Sequence, residues 1–172
     1  AKALTEHILF GVHHSTNWPM SIVRFFNVYG PRQNPIFIIS KAIKDGLLGK
    51  NLEMYDGGLQ TRCFTYISDV IETVIDISES EDAIGEVFNL GNNRESTIKN
   101  VLENILKEFD NSSIIDINTE HKFGDAYEDI PRRIPDIRKA EKYFSFQPKV
   151  QVEDGVKYFA EWAKVNPWWY GK

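Results

Sequence analysis

The run Arg24-Phe25-Phe26-Asn27-Val28-Tyr29-Gly30-Pro31-Arg32 sets an amide, a phenol and a guanidinium at the end of a short strand. Ser21-Ile22-Val23 leads into it, and Gly30-Pro31 breaks it, leaving Arg32 in a loop. In an open α/β sheet, ligands collect beyond the carboxyl ends of the strands. A guanidinium placed there suits a polar ligand that carries phosphate. Taken alone, the run reads equally well as a strand, a turn and an incidental Arg.

Two other segments carry groups of the same kind. Tyr55-Asp56-Gly57-Gly58 is a turn followed by Arg62, either a phosphate-pairing Arg with Tyr55 packing a base or sugar, or a β-hairpin with a surface Arg. Further on, Tyr127, Asp129, Arg132 and Arg133 precede Pro135-Asp136-Ile137. Arg132 and Arg133 beside Glu128 and Asp129 fit a solvated ion-pair cluster of little worth. Asp136 suits a helix N-cap, and Pro135 holds Ile134 extended. That leaves Arg133 without a structural reason.

Several chemistries are absent. His7, His13, His14 and His121 show no ligand spacing, so no metal is expected. Cys63 is the only cysteine, which rules out an internal disulfide and predicts a small buried hydrophobe. No nucleophile elbow occurs, and no Gly-x-Gly-x-x-Gly cradle for a dinucleotide phosphate.

The elements that must hold these groups are set by periodicity. With 172 residues, 42% hydrophobic and 26% charged, the chain has the composition of one globular unit. A net charge of -5 disfavours a nucleic-acid binder. No run is long enough to span a bilayer and there is no signal-peptide pattern, so a reducing, cytoplasmic setting is expected. Leu4, Ile8, Leu9 and Val12 predict an amphipathic helix over 1–15, with no lead-in, as in a fragment or processed product. Helices are predicted over 36–48, from Ser68 as N-cap, over 96–109, 136–144 and 152–165. Strands are predicted over 21–26, 52–55, 62–67, 86–90 and 113–117. Residues 118–135 form a long irregular stretch of the kind that often carries function. Trp162 is expected in the core, with Trp168 and Trp169 packing on a partner or on further sequence. Strands alternating with helices give an α/β fold.

Three stretches together resemble the C-terminal half of extended short-chain dehydrogenase/reductases acting on nucleotide sugars. They are the Arg24–Arg32 run, Gln60-Thr61-Arg62-x-Phe64-x-Tyr66-x-x-Asp69-Val70, and Phe88-Asn89-Leu90-Gly91-Asn92. Lys2-Ala3-Leu4-Thr5-Glu6 is similar to the Lys of the family's Tyr-x-x-x-Lys signature and the helix start after that Lys. Glu128-Asp129-Ile130-Pro131-Arg132-Arg133-Ile134-Pro135-Asp136-Ile137 is similar to the UDP-glucuronate decarboxylases.

The resemblance implies the last strands of a Rossmann-like sheet plus a small mixed α/β substrate-binding domain. Residues 1–33 would end the dinucleotide-binding part and 34–172 would be mainly sugar-nucleotide-binding, with returns to the sheet. It implies Lys2 and Arg133 as catalytic, Asn27, Arg32, Tyr55, Arg62 and Tyr127 as substrate-binding, and Lys2, Phe26 and Val28 as cofactor-binding. The implied ligand is a nucleotide sugar, most simply a UDP-sugar. NAD would serve the full-length parent and none would be bound by this chain alone. A homodimer through the Lys2-bearing helix is also implied. The implied reaction is oxidation at sugar C4 followed by decarboxylation, with 4-epimerisation or 4,6-dehydration as the alternative. The isolated chain would be inactive, and a non-catalytic sugar-nucleotide-binding module is the rival of another class. The loop at 33–36 is shorter than in most relatives, which leaves the base open.

Overall fold

The computed structural model describes residues 1–110, 112–119 and 130–171. Six helices alternate with nine short strands among them. The helices are α1 (Lys2–Thr16), α2 (Ile38–Leu47), α3 (Ser68–Glu79), α4 (Ile98–Leu106), α5 (Arg138–Phe144) and α6 (Val152–Lys164). The strands are β1 (Ile22–Phe25), β2 (Val28–Tyr29), β3 (Leu52–Tyr55), β4 (Thr61–Arg62), β5 (Thr65–Tyr66), β6 (Val87–Leu90), β7 (Ser96–Thr97), β8 (Ile114–Ile117) and β9 (Arg132–Arg133). Three parallel pairs form, β1 with β6, β2 with β5 and β3 with β8. In a separate three-stranded sheet, β4 lies between antiparallel β7 and parallel β9.

Two apolar clusters hold these layers. The larger joins α2, α4 and α6 over β2, β3 and β5, with Ile43, Leu52, Leu102 and Phe159 fully buried. The smaller packs α3 and α5 against β6, through Val70, Phe88, Ala140 and Phe146. The alternation along β6, with Phe88 and Leu90 buried and Val87 and Asn89 less so, is the period-two pattern of a strand covered mainly on one face. In α6, Gly155 is required by a close approach: a Cβ there would sit 2.1 Å from the Tyr29 hydroxyl.

Several sequence expectations need correction. The single strand over 62–67 is two pieces in different sheets, because the Asn27 side chain takes the Cys63 carbonyl at 3.0 Å and the chain turns between them. The hairpin reading of Tyr55 to Arg62 fails too, since β3 pairs with β8 and β4 with β7 and β9. Ser68 is the first helical residue rather than an N-cap; Ile67 already has helical φ and ψ. The helix over 96–109 begins only at Ile98, where Thr97 caps it by accepting from the Asn100 N–H at 3.1 Å. Asp136 lies one residue outside the cap position of α5, though its carboxylate does accept from the Arg138 N–H. Trp169 is buried in the chain's own core, its indole donating to the Gln33 carbonyl at 2.8 Å. Helix α1 is amphipathic in sequence, yet none of its residues is buried, and Leu4 and Ile8 are exposed.

Candidate functional site

Strand β1 ends at Phe25, and Asn27 comes two residues later with φ at 43°, a left-handed conformation that a short polar side chain tolerates. A ring of hydrogen bonds fixes that corner. The Phe26 N–H donates to the Leu90 carbonyl at 3.0 Å, and the Thr65 N–H donates to the Asn27 carbonyl at 3.2 Å. The Thr65 hydroxyl, fully buried, donates to the Phe26 carbonyl at 3.0 Å and accepts from the Asn92 N–H at 2.7 Å. Thr65 therefore ties the end of β1 to the Gly91-Asn92 turn at the end of β6.

A cleft of about 690 Å³ opens beside this corner. Lys2, Asn27 and Gln33 are its polar lining residues; Phe25, Phe37, Ile71 and Ile75 are among the apolar ones. Phe25, Phe37, Ile71 and Ile75 are all at least half exposed or close to it (48–56%), an unusual density of uncovered apolar side chains. Among the described residues, β1 has a strand partner on one side only.

Arg62 and Arg133 are outside the lining of that cleft and form a second group. They are register partners on the β4–β9 pair, with Ser96 of β7 on the other side of Arg62. Register partners share a face, so the two arginine side chains start side by side. The Arg62 guanidinium donates to the Thr61 carbonyl at 2.8 Å, while Arg133 is exposed. The link between the two groups is the chain itself: Cys63 follows Arg62, and its carbonyl accepts from the Asn27 amide at 3.0 Å. Cys63 itself is buried, and burial pushes its thiol up to about 11.

The remaining expected residues are placed elsewhere. Arg32 lies in the loop with φ at 69° and outside the cleft lining. Tyr55 lines a separate recess of about 170 Å³ with Lys41 and Glu53, and its hydroxyl donates to Glu53 at 2.6 Å. Phe26 packs against the Gly91 backbone, where an added Cβ would lie 2.7 Å from its own Cβ. Tyr127 lies outside the described residues. The Tyr55-Asp56-Gly57-Gly58 turn has a structural task. The Asp56 carboxylate accepts from the Thr119 N–H at 2.9 Å and from the Thr119 hydroxyl, and the Gly57 N–H donates to Asp116 at 3.0 Å. The bonds from Thr119 hold the Asp56 carboxyl below the usual range.

Sequence reasoning missed Glu95. Its carboxylate accepts from Arg132 Nε at 2.9 Å and Nη2 at 2.8 Å, and from the Thr61 hydroxyl at 2.8 Å. Hydrogen bonding from Arg132 and then from Thr61 holds the Glu95 carboxyl down to about 2. The folded group thus titrates below its ordinary value of 4.5, so its stabilisation is full above about 4.5 and is lost as pH falls toward 2. A carboxyl-detected NMR titration should place its midpoint near 2, and Arg132→Ala should raise that midpoint toward 4.5. Among the described residues no group of His, Cys, Asp and Glu could hold a metal ion, and no helix is long and apolar enough to cross a membrane.

A sequence profile of the family described as GDP-mannose 4,6 dehydratase matches residues 1–159. The chain belongs to this family. It is 36% identical over 167 residues to a UDP-N-acetyl-alpha-D-glucosaminuronate decarboxylase of Bacillus cytotoxicus, covering 95% of this chain and 51% of that one. It is 35% identical to UDP-glucuronic acid decarboxylase 3 of Arabidopsis thaliana, covering 93% of this chain and 45% of the relative. Among solved structures, a UDP-glucuronic acid 4-epimerase of Bacillus cereus, in complex with UDP-glucuronic acid and NAD, superposes with a TM-score of 0.79 at 30% identity. That match covers 94% of this chain and 50% of the epimerase. The architecture is the α/β fold of extended short-chain dehydrogenase/reductases, and the chain spans about half the length of the relatives it matches.

Proposed function

We propose that this chain is the sugar-nucleotide-binding, C-terminal half of an NAD-dependent enzyme that acts on a UDP-sugar acid, with decarboxylation after oxidation at C4 as its reaction. The observation that carries the reading is the in-register pair Arg62 and Arg133, set one residue from the carbonyl that holds Asn27. Two adjacent guanidinium groups match a diphosphate or a diphosphate and a carboxylate, because each offers a planar fork of N–H donors. The decarboxylase relatives and the Pro131-Arg132-Arg133 wording favour a sugar acid over a neutral sugar. Residues 1–33 would complete the dinucleotide-binding part, and 34–172 would bind the sugar nucleotide while returning β6, α3 and α5 to the first layer.

The cleft fits the nicotinamide end of NAD: mainly apolar walls, with Lys2, Asn27 and Gln33 among its lining residues. No glycine-rich phosphate cradle occurs in the sequence, so this chain's residues fit only that end. NAD, when bound, supplies removal of hydride from the sugar carbon and its return. Lys2 would hold down the pKa of a neighbouring phenol through its opposite charge and so favour proton removal from the C4 hydroxyl. Arg133 would bind the substrate carboxylate or deliver a proton after carbon dioxide leaves. The uncovered side chains Phe25, Ile71 and Ile75 and the one-sided β1 support further polypeptide packing over the cleft, and turnover by this chain alone is not expected.

Titration calorimetry of the 172-residue chain with UDP and with inorganic phosphate tests the binding half of this reading. UDP should bind the more tightly, and Arg62→Ala should weaken it by roughly ten- to a hundredfold, the worth of a charge-assisted hydrogen bond. Equal affinity for UDP and phosphate, or an unaffected Arg62→Ala variant, would remove the diphosphate assignment.

A further inference from the structure

The strand that presents Arg133 is only two residues long, and it pairs Arg133 with Arg62. A ladder this short specifies register weakly. A slip of one residue would turn Arg133 to the other face and put Arg132 in its place. Something must oppose that slip. Side chains alternate along each strand, so Thr61 and its register partner Arg132 share the face opposite to Arg62 and Arg133. Glu95 lies on this second face, accepting both nitrogens of the Arg132 fork at 2.9 and 2.8 Å and the Thr61 hydroxyl at 2.8 Å. It thus clamps one residue from each strand, and only in this register do those two residues lie together. One backbone bond, from the Thr61 N–H to the Pro131 carbonyl at 3.0 Å, closes the same end.

We infer that Glu95 is a positioning residue: by joining Arg132 to Thr61 on one face of β4–β9, it sets the register that stands Arg133 beside Arg62 on the other. The inference rests on the reading of those two arginines as the grip for a diphosphate-bearing ligand. Glu95 acts through β9 and does not itself meet the ligand.

The experiment is titration calorimetry with UDP-glucuronate, which carries both the diphosphate and the carboxylate, on the 172-residue chain and on Glu95→Ala, Glu95→Gln, Arg132→Lys, Arg133→Ala and the Glu95→Ala/Arg133→Ala double variant. Glu95→Ala should weaken UDP-glucuronate on the order of tenfold, as for one lost charge-assisted bond. Arg132→Lys keeps the charge but loses the fork, and should weaken it in the same direction. The deciding comparison is the double variant. With Arg133 gone, Glu95→Ala should cost no more than about twofold further, because coupled residues are non-additive. A role confined to general stability would lower the thermal midpoint and the affinity equally in both backgrounds. Wild-type affinity in Glu95→Ala, or a full Glu95→Ala effect that persists without Arg133, overturns the inference. Should Glu95→Ala not fold, Glu95→Gln and Arg132→Lys decide by the same criteria. If Arg133→Ala also binds as wild type does, the two-arginine reading fails and the inference falls with it; if only the Glu95 and Arg132 variants are silent, the inference alone falls.

Discussion

Replacing Phe159 with Ala lowers the unfolding free energy by about 3–5 kcal/mol, the range for removing a fully buried aromatic side chain. Phe159 has no exposed surface and sits on the inner face of α6, with ring centroids of Trp162 and Trp169 at 6.0 and 5.1 Å. The space left behind has little means of collapse, because the surrounding rings are anchored elsewhere: Trp169 by its bond to the Gln33 carbonyl, and the start of α6 by Gly155 against Tyr29. Domains of ordinary size have about 5–15 kcal/mol in total, so the variant should stand at or near the edge of folding. Urea denaturation should show a lower midpoint at unchanged slope. A loss under about 1 kcal/mol would mean that α6 is not docked as described.

Thr65→Val should cost about 2–4 kcal/mol, although it keeps the shape of the side chain. The hydroxyl makes two bonds in a place with no solvent, one to the Phe26 carbonyl and one from the Asn92 N–H. Valine leaves the buried Asn92 N–H unpaired and takes the donor from the part-buried Phe26 carbonyl, which is dearer than the bonds themselves are worth. The effect should also be local. Amide exchange should accelerate at Asn92 and at Thr65, whose own N–H holds the Asn27 carbonyl, before it does in α4 or α6. Thr65→Ser, which keeps the hydroxyl, should recover most of the stability. If valine and serine behave alike, the hydroxyl does not brace this corner.

The outline of the fold was legible because its long segments have clean periodicity. Val101, Leu102 and Ile105 mark the buried face of α4, and all three are fully buried. The end of β1 and the corner after it were legible from Asn27 and Gly30-Pro31, and Cys63 is buried as its composition suggested. What could not be read depends on partners far apart in the chain. Glu95 and Arg132 are separated by 37 positions, and nothing at either position announces the other. Residues 62–67 look like one strand, and only the Asn27 amide at the Cys63 carbonyl shows why the chain divides there. Thr65 was a polar residue between Phe64 and Tyr66, a hint of a buried hydroxyl that needs a partner. Two of the site residues expected together, Lys2 and Asn27, do share the cleft. Arg62 and Arg133 share a strand pair instead, and Tyr55 belongs to a different recess.

The indole of Trp169 reaches back 136 positions to the backbone of Gln33, next to Arg32 and just past the Gly30-Pro31 break. Gln33 also returns its own amide to the Val28 carbonyl at 2.8 Å, so the loop is stapled at both ends. The segment around Trp169 is therefore a working component of this loop. Replacing Trp169 with a residue that lacks the indole N–H would be felt at the mouth of the cleft, 136 positions upstream.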